Sequence, residues 1–327
     1  MLTRKQNLIE TMTGGNPDRF VKQYEAFHII ESNPLHDDDP EYCGAPRQSP
    51  WGYWQVWPEG TPGPFPVLDD EHLVIKDIEN WRDYVKAPSL KFAEAEWEPF
   101  IEEAESVDRN DQYVLPFIFP GVFERCHHLG EMVSTLTWLY EYPDEMKDLI
   151  KYITEWELEL AEQLCSHLKP DGVFHHDDWG TQISTFMSVD MFQEFVLESY
   201  KQIYGYYKSH GAEMIVHHSD SFAATLVPSM IEMGISVWQG VVTTNDAPAL
   251  IKEYGPQITF MGCIDSNVID CPDWSPEQIE REVRRACTEN GKHYFIPCAT
   301  QGGPYSTFEG VYDCVNEMID KMSAELF

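Results

Sequence analysis

The chain has 327 residues, enough for one domain of barrel size, and 43% hydrophobic content lets it bury a core. Its 56 acidic and 22 basic residues leave a net charge of −34, a surface that repels nucleic acid and anionic membranes. Eight scattered cysteines form no CxxC pair, the N-terminus is polar, and no stretch is apolar enough to cross a bilayer. A cytoplasmic, single-domain protein with free thiols is the expectation.

In chain order, residues 1–12 can form a short amphipathic helix that Gly14-Gly15-Asn16-Pro17 stops. Residues 32–68 are rich in Pro, Gly and aromatics, including Trp51, Trp54 and Trp57. Residues 1–70 therefore read as an N-terminal extension of helix plus long irregular aromatic loop, the kind of loop that serves as a lid or binding segment. The acidic stretch 93–109 reads as a solvated helix.

From about residue 110 to 327 strands and helices alternate. Val114–Phe119 is a strand, and Pro143, Asp144 and Glu145 suit the first turn of a helix over 143–168. Strand 171–177 follows, then a helix capped by Ser188, with apolar residues at 3–4 spacing up to Gly211. Strand 213–218, helix 222–233, strand 236–242 and a helix over 247–254 capped by Asp246 come next. Strand 257–264 precedes a capping box at Ser275-Pro276-Glu277-Gln278, whose helix stops at Asn290-Gly291. Strand 293–298 precedes a second such box, Ser306-Thr307-Phe308-Glu309, and a last helix. The alternation implies parallel pairing through right-handed crossovers, and the number of units favours a closed α/β (β/α)8 TIM barrel. No GxGxxG or P-loop supports an open nucleotide-binding sheet.

Several of these strands end in His, Asp or Cys, and in a barrel all such ends meet on one face. His175-His176-Asp177-Asp178 is the densest ionisable run, and Asp177 or Asp178 is a candidate ligand or base. These carboxylates could equally anchor the barrel rim through backbone N–H groups. In His217-His218-Ser219-Asp220 one imidazole faces the barrel and the other the helix layer, and the pattern alone does not say which. Imidazole and carboxylate at this spacing suit Zn²⁺ and other divalent metals, or else cap the next helix. Cys298, at a later strand end, is a candidate thiolate ligand or a small buried residue. Cys263 and Asp265 occupy a similar position. Cys126-His127-His128 lies on a helix without HExxH spacing and reads as structural. The three tryptophans could wall a planar substrate or simply fill core.

Taken in order, Asp177-Asp178-Trp179-Gly180-Thr181-Gln182, the helix to His210-Gly211, His218-Ser219-Asp220, Phe260-Met261-Gly262-Cys263-Ile264-Asp265 and the Cys298 strand resemble the uroporphyrinogen decarboxylase superfamily. The opening Gly14-Gly15-Asn16-Pro17-Asp18-Arg19 resembles its first segment, and the likeness is best over about 110–320. It implies a TIM barrel. True decarboxylases hold substrate carboxylates on an Arg-rich N-terminal segment that is not found here, and the chain has only nine arginines. The likeness is closer to the corrinoid-dependent methyltransferase and O-demethylase branch.

What that branch implies is a zinc site of form His-x-Cys plus a distant Cys, which falls here on His218, Asp220 and Cys298, with Asp220 in place of the middle Cys. The expected reaction moves a methyl group between a small methoxylated substrate and a corrinoid carried by a separate protein. Metal ligands would be His218, Asp220 and Cys298, and Asp177, Asp178 and His217 would be catalytic. The alternative is a metal-free, uroporphyrinogen decarboxylase-like lyase.

Overall fold

The computed structural model describes residues 1–35, 40–301 and 303–327. Residues 36–39, within the irregular segment, and Gly302 lie outside the described residues. Its framework is a curled, all-parallel sheet of strands β1 (Phe27–Ile30), β2 (Tyr113–Ile118), β3 (Gly172–His176), β4 (Met214–His218), β5 (Val237–Val241), β6 (Thr259–Ile264) and β7 (Phe295–Ala299), paired in that order. Helices cover its outer face, as parallel pairing requires. The fold is TIM-barrel-like, although the ladder has seven hydrogen-bonded strands among the described residues rather than eight.

Alternation along each strand sorts side chains between two cores. Phe27, Tyr113, Leu115, Phe174, Met214, Val216, Val237, Met261, Ile296 and Cys298 form one buried cluster and include residues of all seven strands. Only a sheet curled on itself brings β1 and β7 into the same interior. Side chains bridge the remaining gap. Gln23 Oε1 accepts from Ala299 N at 3.1 Å, and Tyr24 Oη donates to the Gln301 carbonyl at 2.8 Å. The opposite faces of the strands pack on the helices in a second, larger core.

Local signals place most helices. Thr3 caps the first helix, Arg4–Thr13, and Ser188, Asp246 and Ser275 each accept an N–H at the start of their helices. Helix α1 (Pro143–Leu168) buries Met146, Leu149, Ile150, Ile153, Leu160, Leu164 and Leu168 along one stripe. The expected helix from Ser188 is present but passes through a π-helical stretch at Gln193–Leu197. The last helix, Val311–Leu326, starts after Gly310 and not at the Ser306 box. There Asp270 accepts from the N–H groups of Thr307 and Phe308, which holds the segment as a loop. The aromatic N-terminal segment contains a small antiparallel sheet (Arg47–Gln48, Trp54–Val56, Phe65–Pro66). No helix among the described residues is long and apolar enough to cross a membrane.

Candidate metal centre

In the parallel register His175 lies beside His217, and His176 beside His218. Phe174 and Val216 are interior residues, so period-2 alternation turns His176 and His218 inward and His175 and His217 outward. The inward rings stack at 4.2 Å. With Asp178 they bring one donor atom each to within 4.8 Å of one another at the C-terminal mouth. His218 Nε2 stands 3.9 Å from Asp178 Oδ1.

Each inward imidazole is oriented through its other nitrogen. Gln239 is the neighbour of His218 across β4 and β5, and its amide donates to the carbonyls of Gln301 (2.9 Å) and Ala299 (3.3 Å). That fixes the amide's direction, so its Oε1 accepts from His218 Nδ1 and leaves the Nε2 lone pair free. His176 Nδ1 lies 2.9 Å from Glu124 Oε2. Metal-binding histidines characteristically present one nitrogen to the metal and give the other to such a partner. Two imidazoles and a carboxylate fit Zn²⁺ or a related divalent ion.

The local electrostatics favour a cation. Burial, then its His176 neighbour, pulls His218 down to about 3. Burial also lowers His176, against the pull of Asp178 and Asp177. Both imidazoles are therefore neutral at physiological pH, the state that ligates metals. Burial and the nearby Asp178 push Glu124 and Asp220 well above the usual carboxyl range. Three carboxyl groups crowd one mouth, and a bound cation would relieve their repulsion.

The other expected site residues are placed as follows. Asp220 lies at the rim, where its backbone N–H donates to Asp178 Oδ1 at 3.0 Å. Cys298 faces the interior, but the Gln239 amide stands between it and His218. Its Sγ lies 3.9 Å from Gln239 Nε2 and 3.7 Å from Gln23 Oε1, and burial pushes the thiol up to about 12. The donor atoms that gather with His218 among the described residues are those of His176 and Asp178, and Asp220 and Cys298 are not in that group.

Asp177 is fully buried as an anchor. It accepts from the N–H groups of Phe123 (3.1 Å) and Glu124 (2.7 Å), from Trp179 Nε1 (2.9 Å) and from Tyr200 Oη (2.5 Å). Burial holds it up at about 6 despite these donors. The first two bonds seat the start of helix α2 (Val122–Gly130) and so aim Glu124 at His176. His217 faces the helix layer, stacked on Trp179 at 3.9 Å and bonded to Tyr204 Oη and the Asp177 carbonyl. Neither residue opens onto the mouth.

Cys263 turns out toward the helices, where its carbonyl accepts from Arg285 at 2.6 Å, and Asp265 caps Ser266–Ile269. Of the three tryptophans, only Trp51 is fully buried, against Trp156. Helix α2, whose Cys126-His127-His128 reads as structural in sequence, also carries a second cluster of donor atoms. Glu124, His127 and His128, at i, i+3 and i+4, bring one donor atom each to within 4.8 Å of one another.

A curled parallel sheet with a histidine–carboxylate group at its strand ends defines a barrel protein with a metal-type site in the usual place for this architecture. The family follows from sequence. The uroporphyrinogen decarboxylase (URO-D) family profile matches residues 128–307, more than half the chain, and the protein belongs to that family. Among solved structures it is similar to a methyltransferase from Methanosarcina mazei, with TM-score 0.65 and 14% identity over 98% of this chain and 99% of that one. A chain from Listeria monocytogenes described as a candidate vitamin-B12-independent methionine synthase aligns at TM-score 0.42 and 13% identity over 70% of each chain. No curated protein sequence matches.

Proposed function

We propose that the protein is a metal-assisted methyltransferase that moves a methyl group between a small substrate, such as a methoxylated aromatic compound, and a corrinoid carried by a separate protein. The observation that carries this reading is the His176–Asp178–His218 group, with each imidazole held through its other nitrogen by Glu124 or Gln239. These three residues would hold a divalent metal, zinc by donor type, which when bound supplies Lewis acidity to an ether oxygen. Gln239 keeps His218 in the tautomer with a free Nε2. Glu124 does the same for His176 when it accepts the Nδ1 proton. Asp220, pushed up by burial and by Asp178, keeps a proton at the mouth for the oxygen that loses its methyl group. The histidine–carboxylate group sits at the strand ends that form the barrel mouth, the side from which a corrinoid protein would approach. Membership of the family and the fold shared with the Methanosarcina mazei methyltransferase support the assignment.

The metal-free lyase alternative fits less well, because the Arg-rich segment that holds substrate carboxylates in true decarboxylases is not found in this chain. The test is anaerobic methyl transfer from methoxylated benzenes to a cob(I)alamin-bearing corrinoid protein. His218→Ala and His176→Ala should each lower the rate by about 100-fold or more. Full activity in either variant would sink the proposal.

A further inference from the structure

Helix α2 carries more polar chemistry than the His176–Asp178–His218 centre uses. All nine of its residues are buried, Glu124, His127 and His128 among them. These three stand at i, i+3 and i+4, so one face of the helix presents a carboxylate and two imidazoles together. A Glu and a His three apart on a helix is a spacing at which both side chains ligate one metal. One donor atom from each of the three lies within 4.8 Å of the others.

The imidazole nitrogens are not committed elsewhere. His128 Nδ1 is buried without a hydrogen-bond partner among the described residues, where a buried polar atom is normally paired. Ring contacts hold both side chains instead. Phe123 packs on His127 at 5.5 Å, Tyr53 on His128 at 5.1 Å, and the two imidazoles meet edge to face at 4.9 Å. Burial keeps both rings neutral at physiological pH, with His127 pulled down to about 4, and the neutral form is the one that ligates metals. Glu124 meets His176 Nδ1 through Oε2 at 2.9 Å, and a carboxylate has a second oxygen to give. Arg125, on the same helix, lies over Trp51 (4.7 Å) and Trp156 (5.0 Å) and does not pair with Glu124.

We propose that Glu124, His127 and His128 form a second divalent-cation site, joined to the His176–Asp178–His218 centre through the Glu124 carboxylate. Two imidazoles and one carboxylate suit Zn²⁺ or a like ion, and not Ca²⁺ or Mg²⁺, which take oxygen ligands. Because Glu124 is divided between the two centres, the α2 site is the weaker, filled from added metal and not carried through purification. The proposal stands on helix α2 and does not need the methyl-transfer reading.

The test is titration of chelator-treated protein with Zn²⁺ alone, followed by calorimetry. Wild type should take up two equivalents in two resolved steps. His127→Gln/His128→Gln should lose the weaker step and keep the other, while His176→Ala/His218→Ala should still bind one equivalent. A weaker step that persists in folded His127→Gln/His128→Gln overturns the proposal. So does a single wild-type equivalent that His176→Ala/His218→Ala abolishes. A single equivalent lost in His127→Gln/His128→Gln but kept in His176→Ala/His218→Ala would uphold the α2 site and remove the other centre, with the methyl-transfer reading built on it. If the glutamine variant fails to fold, anomalous diffraction at the zinc edge from wild-type crystals decides. A peak about 2.0–2.1 Å from nitrogens of His127 and His128 supports the site, and zinc found only elsewhere overturns it.

Discussion

Adjacent histidines at 175–176 and 217–218 face opposite ways because side chains alternate along a strand, and the two members of each pair do different work. His176 and His218 meet at the mouth. His175 and His217 meet Tyr204, whose hydroxyl lies 3.1 Å from His175 Nδ1 and 2.6 Å from His217 Nδ1. His175 Nε2 in turn lies 3.2 Å from Glu157, a carboxylate set in the otherwise apolar stripe of α1. His217 is fully buried, and desolvation with its histidine neighbours pulls its pKa well below 6.5. The sign of its contribution follows. Below pH 6.5 the unfolded chain takes up a proton at this position that the folded protein refuses, so stability is lost as pH falls. A His217→Gln comparison removes the group and cancels the rest. By urea unfolding, wild type should lose stability relative to the variant by up to about 1.4 kcal/mol per pH unit between pH 6.5 and 5. A difference that stays flat with pH would show that His217 titrates normally. The histidine pairs are plain in sequence, but which member faces inward depends on strand register, so His217 reads there as readily for a catalytic group as His176 does. Asp177 and Cys298 are likewise visible as candidates. Their roles depend on Tyr200, Trp179 and Gln239, whose proximity is set only by the fold.

The elements best marked in sequence are those with chemical punctuation. Ser188, Asp246 and Ser275 cap helices where their side chains can take the free N–H groups, and β2 through β7 lie where apolar runs end in polar residues. Elements defined by distant partners are not legible this way. Strand β1 is four residues long and is recognised by pairing with β2, more than eighty residues on. Ser306 offers a capping pattern, but Asp270 already holds those backbone groups. The turn after β4 depends on a feature of β5. Gly240 has φ +94°, and a Cβ there would meet Asp220 N and Ser219 backbone atoms at 2.9 Å. The register of β5 with β6 shifts between Gln239 and Val241, the kind of irregularity that re-aims a side chain, here Gln239 onto His218. Gly240→Ala should therefore cost about 1–3 kcal/mol of stability and weaken metal binding together. A variant as stable as wild type, with unchanged metal affinity, would show that this close approach is not needed.

At the scale of the whole molecule, the curled sheet gathers residues from α2, β3, β4 and β5 into one mouth, and this is why short motifs spread over the chain add up to a site. The net charge of −34 is not evenly neutral at that mouth, where Glu124, Asp178 and Asp220 converge beside two neutral imidazoles. A divalent cation bound there would favour the ionised form of these carboxyl groups. The barrel class was readable from the alternation of strands and helices. The grouping of His176 with His218 was not, because it depends on the register of β3 with β4, and Glu124 and Gln239 meet these imidazoles only in the fold. The measurement that bears most directly on the account is the metal content of anaerobically purified protein, for wild type and for His176→Ala/His218→Ala. The account predicts about one zinc per wild-type chain, lost in the double variant while its fold, by circular dichroism, is kept. Wild-type protein that carries no metal and takes up none from added zinc would contradict it.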